Sequence, residues 1–233
     1  MLQVSDLNAF YGQAQALFGL SLEAHEGEIV TLLGRNGAGK TTILKAIMGL
    51  LPARGGTIVF QKRRIEGRTA EAIARRGIAY APAERRIFAE LSVRSNLRIA
   101  RQGRRRGVPA WTPKTIFQLF PRLAALRGRR GGQLSGGEQK LLSIARALMG
   151  NPRLLLLDEP SEGFDPATAE EIADTINFLK EEGVSVVMAE QNLHFAGAVA
   201  DRGYIIDNGR IVIQGTMEEF LENDKKWEQY LAR

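Results

Sequence analysis

The sequence predicts an α/β fold whose core is a mostly parallel sheet with helices on both faces. Three short apolar runs, 28–34, 153–157 and 184–189, predict buried strands. Stretches with apolar residues at helical spacing follow the first two runs, at 40–50 and 166–182. Strands that alternate with helices are typical of a parallel sheet, because each return to the same edge requires a long crossover.

Shorter stretches with the composition of strands flank this alternation. Those at 2–4 and 20–22 precede the first buried strand and predict an antiparallel N-terminal portion. Residues 203–215 are expected to form a hairpin, because Asn208-Gly209 favours a two-residue turn. Two further short strands are predicted after the first helix, at 57–60 and 77–81.

Residues 90–133 interrupt the alternation with helical stretches around 93–101 and 113–126, which arginine- and glycine-rich loops separate. Together with a helix predicted at 135–149, they indicate a helical subdomain over about 85–150. The tail, about 216–233, is also expected to be helical. No linker or internal repeat divides the chain, so we expect one domain over residues 1–233.

Composition narrows the function classes. The chain has 233 residues, 44% of them hydrophobic, which is enough for one packed domain. No apolar run approaches the roughly 18 residues of a membrane span, and no signal peptide is visible. The absence of cysteine excludes disulfides and thiolate metal sites, and it fits a cytosolic protein. The formal charge is +6, but no aromatic residues interleave the clustered arginines, so we do not expect nucleic acid as a partner.

Residues 34–41 match the pattern G-x-x-x-x-G-K-[ST] between a predicted strand and a predicted helix. Glycines in such a loop let backbone N–H groups converge on phosphates at the helix N-terminus. Lys40 would reach the β- and γ-phosphates, Thr41 would bind magnesium, and Thr42 could bond a phosphate oxygen. The alternative is a glycine-rich turn that only begins a helix. The expected phosphate site consists of Gly34, Arg35, Asn36, Gly37, Ala38, Gly39, Lys40, Thr41 and Thr42.

The strand predicted before Asp158 ends in that carboxylate, and Glu159 follows directly. Asp158 would hold the magnesium ion indirectly. Glu159 would orient or deprotonate the attacking water, while Lys40 would stabilise the phosphate charge. Taken alone, this segment could also be a buried strand followed by a solvated acidic turn.

The segment Leu134-Ser135-Gly136-Gly137-Glu138 carries two signals. Ser135 and Glu138 form the capping box S-x-x-E at a helix start. Capping does not require Gly136 and Gly137, which weaken a helix but leave its positive end open to a phosphate. Since the chain already has its own phosphate loop, we expect this second anion site to serve the nucleotide of another chain.

With these three motifs the chain resembles, over its whole length, the ATP-binding-cassette (ABC) ATPases, which are the nucleotide-binding subunits of ABC transporters. The resemblance implies the P-loop NTPase ABC-ATPase fold, ATP and Mg²⁺ as cofactors, and a dimer in which each signature helix closes on the other subunit's ATP. It also implies that Tyr11 stacks on the adenine, with a core aromatic as the alternative. Asp165 would lie at the dimer interface, or equally cap the helix that begins at Pro166.

Several short segments resemble segments of the shorter ATPase subunit of branched-chain amino-acid importers, and of related importers of urea, amides and small organic acids. These segments are residues 120–123, 151–153, 161–163, 190–192 and 200–204. The similarity implies a second ATPase subunit, two membrane permeases and, indirectly, an extracytoplasmic solute-binding protein. The loop 83–88 and the helical subdomain would grip a permease helix at the cytoplasmic face of the membrane. The sequence leaves the solute, and the choice between homodimer and heterodimer, open.

Two positions depart from the family pattern. Most members have Gln at the position of Ala83, where it contacts magnesium and water, so either Glu84 substitutes or this contact is missing. Most also have His at the position of Gln191, whose amide can bond a phosphate oxygen but cannot change its charge near neutral pH. We expect Gln191 to take this catalytic place and His194 to pack on the surface.

Three alternatives remain open: an ABC ATPase of lipopolysaccharide transport, a soluble ABC ATPase that acts on DNA or ribosomes, and a regulatory subunit that binds ATP without hydrolysing it. The first usually keeps Gln and His where this chain has Ala83 and Gln191. The second usually carries long coiled coils or a second cassette. Intact Asp158 and Glu159 argue against the third.

Overall fold

The computed structural model describes residues 1–231, and its secondary structure alternates as the sequence predicts. The strands are β1 (Leu2–Tyr11), β2 (Ala14–Ala24), β3 (Ile29–Leu33), β4 (Ala53–Phe60), β5 (Arg63–Arg64), β6 (Ile78–Ala81), β7 (Leu154–Asp158), β8 (Ser185–Glu190), β9 (Arg202–Asp207) and β10 (Arg210–Thr216). The helices are α1 (Lys40–Ile47), α2 (Ala70–Arg76), α3 (Val93–Ala100), α4 (Pro113–Leu119), α5 (Pro121–Ala125), α6 (Gly136–Leu148), α7 (Pro166–Glu181), α8 (Leu193–Val199), α9 (Met217–Glu222) and α10 (Asp224–Leu231). The sequence did not predict β5, α2 and α8.

The central sheet has six strands in the order β10-β9-β3-β8-β7-β6. Neighbours from β9 to β6 pair in parallel, and only β10 pairs antiparallel. Every residue of β3, β7 and β8 is buried, because both faces of the sheet are covered. Because both faces are buried, the sequences of these strands are continuous apolar runs. The arrangement confirms the predicted α/β class.

The second sheet has four antiparallel strands in the order β2-β1-β4-β5. It confirms the predicted antiparallel portion, but β1 and β2 extend far beyond the short stretches predicted at 2–4 and 20–22. One face of β1 is buried and the other is partly exposed. Its register with β2 shifts several times between Val4 and Phe10, next to Asp6, whose φ is +51°. Such bulges break the alternation that marks a half-buried strand.

Helices α3 to α6 occupy the segment between β6 and β7. The helix predicted over 113–126 is divided at Phe120, because Pro121 restricts the preceding residue to non-helical backbone, and Phe120 has φ −122° and ψ 78°. The predicted tail is likewise divided at Asn223, and its last two residues, 232–233, lie outside the described residues. The division into one domain with a helical subdomain stays a prediction.

The hydrophobic core lies on both faces of the central sheet. Leu155 and Leu157 of β7 face a cluster that includes α6, α7 and α8, whereas Leu154 and Leu156 face α1 and the antiparallel sheet. Parallel pairing brings the carboxyl ends of β3, β7 and β8 to one edge of the sheet. Among residues 1–231 no helix is both long and apolar enough to cross a membrane.

Candidate nucleotide-binding site

The phosphate loop joins β3 to α1 and is fitted tightly against the β9–β10 turn. Gly34, Gly37 and Gly39 all have positive φ, at 155°, 83° and 116°. A Cβ on Gly34 would lie 2.4 Å from the Ile206 carbonyl oxygen, and one on Gly39 would lie 3.3 Å from the Gly209 Cα. Glycine is therefore required at Gly34 and Gly39 both by conformation and by space, as a loop that wraps a phosphate requires.

The Lys40 ammonium is buried at the centre of this loop, with its side chain 3% exposed. Its Nζ donates to the carbonyl oxygens of Gly34 at 2.7 Å and Arg35 at 3.0 Å. The carboxylate of Glu159 lies 3.6 Å from Nζ. Burial lowers the pKa of Lys40, and the nearby Glu159 charge only partly opposes this shift. We call Gly34, Arg35, Lys40 and Glu159 the Lys40 cluster.

Asp158 is fully buried and is held by two hydroxyl groups and one ammonium. Thr41 donates to Oδ1 at 2.8 Å, and Tyr80 donates to Oδ2 at 2.7 Å. Lys140 of α6 donates to the backbone carbonyl of Asp158. Burial raises the pKa of Tyr80 far above its usual value and lowers that of Lys140. We call Thr41, Tyr80, Lys140 and Asp158 the Asp158 cluster.

Glu159 begins the turn after β7 in a left-handed conformation, with φ +49°. Its N–H donates to the Ala189 carbonyl at 2.9 Å, which fixes the turn on β8. Burial, followed by a hydrogen bond with Glu162, raises the pKa of Glu159 to about 7, although Lys40 opposes the shift. Both members of the Lys40–Glu159 pair are thus shifted towards neutrality, because their burial outweighs their mutual attraction.

Glu190 at the end of β8 ties this turn to the next one, and the sequence did not single it out as a site residue. Its carboxylate, which is only 2% exposed, accepts hydrogen bonds from the N–H groups of Ser161 (2.9 Å), Gln191 (3.0 Å) and Asn192 (3.3 Å). Burial nevertheless raises the pKa of Glu190. The position of Glu190 at the end of a buried strand was the signal that could have identified it.

The C-terminal helix α10 contacts both sides of the site. The Gln191 amide donates to the carbonyl of Leu231 at 3.2 Å, and Arg35 donates to that of Gln229 at 2.6 Å. The Gln191 side chain therefore bonds to the tail and not to Lys40.

His194 is exposed on α8, as predicted. Tyr11 is 49% exposed and its hydroxyl lies 3.5 Å from Thr42 Oγ1, which rules out the core-aromatic alternative.

Comparison with known proteins decides the family. The sequence matches the family model described as ABC transporter over residues 17–162. It is 41% identical over 232 residues to the high-affinity branched-chain amino acid transport ATP-binding protein BraG of Pseudomonas aeruginosa, with 100% of both chains covered. The chain belongs to the ABC transporter family. Its members of this type are ATP-binding subunits that hydrolyse ATP.

Two further similarities bear on the fold and the relatives of this ABC ATPase. The lipopolysaccharide export system ATP-binding protein LptB of Escherichia coli is 36% identical, with 99% of this chain and 97% of the relative covered. The crystal structure of a nucleotide-free ATP-binding cassette from an ABC transporter has a TM-score of 0.84 at 27% identity, covering 100% of this chain and 97% of the other. The predicted ABC-ATPase fold is confirmed.

The ABC signature segment begins helix α6 with the capping box that the sequence predicts. Ser135 Oγ accepts from the Glu138 N–H at 3.3 Å, and the Glu138 carboxylate accepts from the Ser135 N–H at 2.8 Å. A Cβ on Gly137 would meet Phe164 and Thr168 at 3.5 Å, an ordinary contact distance. Among the described residues, no contact thus requires glycine at Gly137. Within residues 1–231, no hydrogen bond joins the signature segment to the phosphate loop.

Asp165 is the N-cap of α7. Its carboxylate accepts from the Thr168 N–H at 3.0 Å and the Thr168 hydroxyl at 2.7 Å. These hydrogen bonds lower the pKa of Asp165. The capping alternative is therefore present in the structure, and a place at a dimer interface remains a prediction.

The residues after β6 at the position of the family's Gln are Ala83 and Glu84, and substitution of that Gln by Glu84 stays a prediction. Ala83 offers only a methyl group. Glu84 is exposed, and its carboxylate lies 3.8 Å from the Lys45 Nζ and 3.9 Å from the Arg86 guanidinium. Tyr80, which lies on β6 just before this loop, donates to the Asp158 carboxylate.

Proposed function

We propose that the chain is the ATP-binding and ATP-hydrolysing subunit of an ABC importer for branched-chain amino acids or related small polar solutes. The observation that carries this proposal is the placement of Lys40, Thr41, Asp158 and Glu159 together at the carboxyl edge of the central sheet. The solute class is supported by the full-length 41% identity to the Pseudomonas aeruginosa branched-chain amino acid transport protein.

The phosphates of ATP would bind at the loop 34–42. Lys40 donates to two carbonyl groups there, and the same ammonium can donate to phosphate oxygens instead. Tyr11, exposed at the loop's rim, would stack on the adenine. Gln191 would turn from the Leu231 carbonyl towards the γ-phosphate.

The Asp158 cluster fits a magnesium ion. Mg²⁺ takes oxygen donors, and the Thr41 hydroxyl and the Asp158 carboxylate already lie 2.8 Å apart. Bound there, Mg²⁺ would neutralise the charge that develops on the transferred phosphoryl group. Thr41 and Asp158 would hold the ion in place, and Glu159 would orient the attacking water and accept its proton.

A second ATPase subunit would complete the site. Packing within residues 1–231 does not need glycine at Gly137, and this glycine would leave the positive end of α6 open to a phosphate. We therefore place a partner subunit's ATP against the signature segment 134–138, with Asp165 near the interface. Membrane permeases would dock on the helical segment and the loop 83–88, at the cytoplasmic face of the membrane. A solute-binding protein would act only indirectly, and nucleic acid is not expected as a partner.

Lipopolysaccharide transport is a second candidate function, because the 36% identity to the Escherichia coli export protein also spans the full length. Ala83 and Gln191 favour import, since Gln and His are usual at those positions in the lipopolysaccharide ATPases. Reconstitution with the permeases encoded beside this chain separates the two. Uptake of labelled leucine that requires ATP supports the proposal, whereas extraction of lipopolysaccharide without leucine uptake overturns it.

ATP turnover by the purified protein tests the catalytic assignment. Glu159→Gln should retain ATP binding and lose turnover by a factor on the order of 100 to 10,000, the range of general acid–base effects. Glu170→Gln, an exposed change on α7, is the matched control and should retain turnover. The assay is made with the chain alone and with the sister ATPase encoded nearest to it. Full turnover by Glu159→Gln would remove Glu159 from the mechanism, and ATP binding without turnover by the wild type would indicate a regulatory subunit.

A further inference from the structure

Tyr80, like Lys140, is a part of the Asp158 cluster that the sequence motifs do not anticipate. It lies on β6, whose residues pair in parallel with β7, and Tyr80 is opposite Leu156. Its hydroxyl donates to Asp158 Oδ2 at 2.7 Å across 78 residues of sequence. The two strands therefore fix the distance between this phenol and the carboxylate.

Two hydroxyl groups orient the Asp158 carboxylate, because each bonds a different oxygen. Thr41 bonds Oδ1 and Tyr80 bonds Oδ2, while Lys140 holds the backbone carbonyl of the same residue. Without Tyr80, Thr41 alone would hold the carboxylate, whose terminal side-chain torsion is broad for an aspartate. The carboxylate could then rotate about its bond to Thr41, and Oδ2 would no longer have a fixed position.

In the loop that follows β6, neither Ala83 nor Glu84 can orient the Asp158 carboxylate in place of Tyr80. Ala83 carries no polar group, and Glu84 is turned towards Lys45 and Arg86. Tyr80 is half-buried and also lines a surface cavity of about 250 Å³ beside Arg146. Its backbone is held in β6 by pairing with β7, and its hydroxyl is directed at Asp158.

We propose that Tyr80 is a positioning residue whose hydroxyl fixes the Asp158 carboxylate in the orientation that binds Mg²⁺ with ATP. This inference rests on the proposed function of the site. Tyr80 does not touch the reacting atoms, and it acts through Asp158. Groups that orient a metal ligand in this way typically change metal affinity 10- to 100-fold when removed.

Direct metal binding tests the proposal. Mn²⁺ is titrated, with free Mn²⁺ followed by electron paramagnetic resonance, into the full chain saturated with a non-hydrolysable ATP analogue. Tyr80→Phe should raise the Mn²⁺ dissociation constant roughly 10-fold, because Phe keeps the ring and removes only the hydroxyl. The Mg²⁺ concentration that gives half-maximal ATP turnover should rise in parallel.

The matched control is Tyr204→Phe. Tyr204 is a buried tyrosine, whereas Tyr80 is half-buried, and the Tyr204 hydroxyl accepts from the Glu23 N–H at 3.1 Å and from Arg202 at 2.6 Å, outside the Asp158 cluster. This variant is expected to retain wild-type Mn²⁺ affinity even where its melting temperature falls. A Tyr80→Phe protein that melts at a lower temperature but binds Mn²⁺ like the wild type would overturn the proposal, because a merely structural hydrogen bond predicts that result.

A double variant shows whether Tyr80 acts through Asp158. In an Asp158→Asn background, Tyr80→Phe should add no further loss of Mn²⁺ affinity, and a full additional 10-fold loss would overturn the proposal. Melting curves without metal or nucleotide establish that each variant is folded at the temperature of the titration. Failure of the wild type itself to bind Mn²⁺ with nucleotide would instead count against the proposed function.

Discussion

The Asp158 cluster and the Lys40 cluster lie side by side on one sheet edge, but their charged groups are held differently. In the Asp158 cluster, each carboxylate oxygen already accepts a short hydrogen bond from a neutral hydroxyl. In the Lys40 cluster, the ammonium donates to carbonyls of its own loop and lies 3.6 Å from Glu159. The first arrangement can persist when a ligand binds, whereas the second must exchange partners.

The two clusters also differ in how far their hydrogen bonds offset the burial of their charged groups. Hydrogen bonds from Thr41 and Tyr80 offset the burial of the Asp158 charge. Lys40 and Glu159 are shifted towards neutrality despite lying together, so burial dominates their energies. The Asp158 cluster thus presents a carboxylate that is already oriented, whereas in the Lys40 cluster burial opposes the charges of both groups, and in the proposed function phosphate binding would compensate the charge of Lys40.

The variant with the largest expected effect disrupts the Lys40 cluster. Lys40→Met keeps much of the side-chain volume and removes the ammonium. ATP affinity should fall by a factor on the order of 100, because loss of one partner of a buried charge pair costs about 2–5 kcal/mol. Stability without nucleotide should fall by about 1 kcal/mol, because the Gly34 and Arg35 carbonyls lose their donor while the cost of burying the ammonium is removed.

Calorimetric ATP titration and urea unfolding measure the two quantities. Lys45→Met is the control on the same helix, because Lys45 is partly exposed and lies 3.8 Å from Glu84. It should leave ATP affinity unchanged. Unaltered affinity in Lys40→Met, or a loss of stability comparable to the loss of binding, would contradict the division between the two clusters.

The sequence predicts one cluster's residues better than the other's for a physical reason. Lys40 and its loop are local: strand, glycines, lysine and helix follow within a few residues, so the pattern itself contains the site. The Asp158 cluster draws Tyr80 and Lys140 from distant segments. Only the strand order β6-β7 brings Tyr80 to Asp158, and no spacing in the sequence encodes that order.

The fold shows the same contrast. The buried parallel strands could be predicted because both their faces are apolar. The extent of β1 could not, because it is half-buried and bulged near Asp6. The division of the predicted helix at Phe120 could have been predicted from Pro121 alone. Contacts of α10 with Arg35 and Gln191 depend on how the tail packs, which the sequence does not specify.

A smaller effect concerns the pH dependence of the Lys40 cluster. The pKa of Glu159 is raised to about 7 from its ordinary 4.5, so the folded chain binds this proton more tightly than the unfolded chain. Its contribution to stability is therefore fully present below pH 4.5 and is lost as pH rises towards 7. Glu159→Gln stays neutral, and relative to wild type it should gain about 1–3 kcal/mol between pH 5 and pH 8.

Urea unfolding without nucleotide at pH 5 and pH 8 checks this shift. Glu170→Gln serves again as the exposed control, with an equal effect at both pH values. An equal stability difference between Glu159→Gln and wild type at pH 5 and pH 8 would mean that Glu159 titrates normally. The Lys40 cluster would then be as well compensated as the Asp158 cluster, and the comparison would fail.

The smallest expected effect concerns Gln191 and the tail. Gln191→Ala removes the hydrogen bond to the Leu231 carbonyl, which contributes about 1 kcal/mol at most. Backbone amides of α10 should therefore exchange hydrogen several-fold faster, because this helix is short and its other contact with the site is Arg35 to Gln229. His194→Ala, an exposed change nearby on α8, should leave that exchange unaltered.

Saturating ATP should speed hydrogen exchange in α10 of the wild type and have little effect in Gln191→Ala, since ATP binding would turn the Gln191 amide away from the tail. Slower exchange of α10 with ATP would show that Gln191 stays on Leu231, and Gln191 would then behave like the preorganised Asp158 cluster.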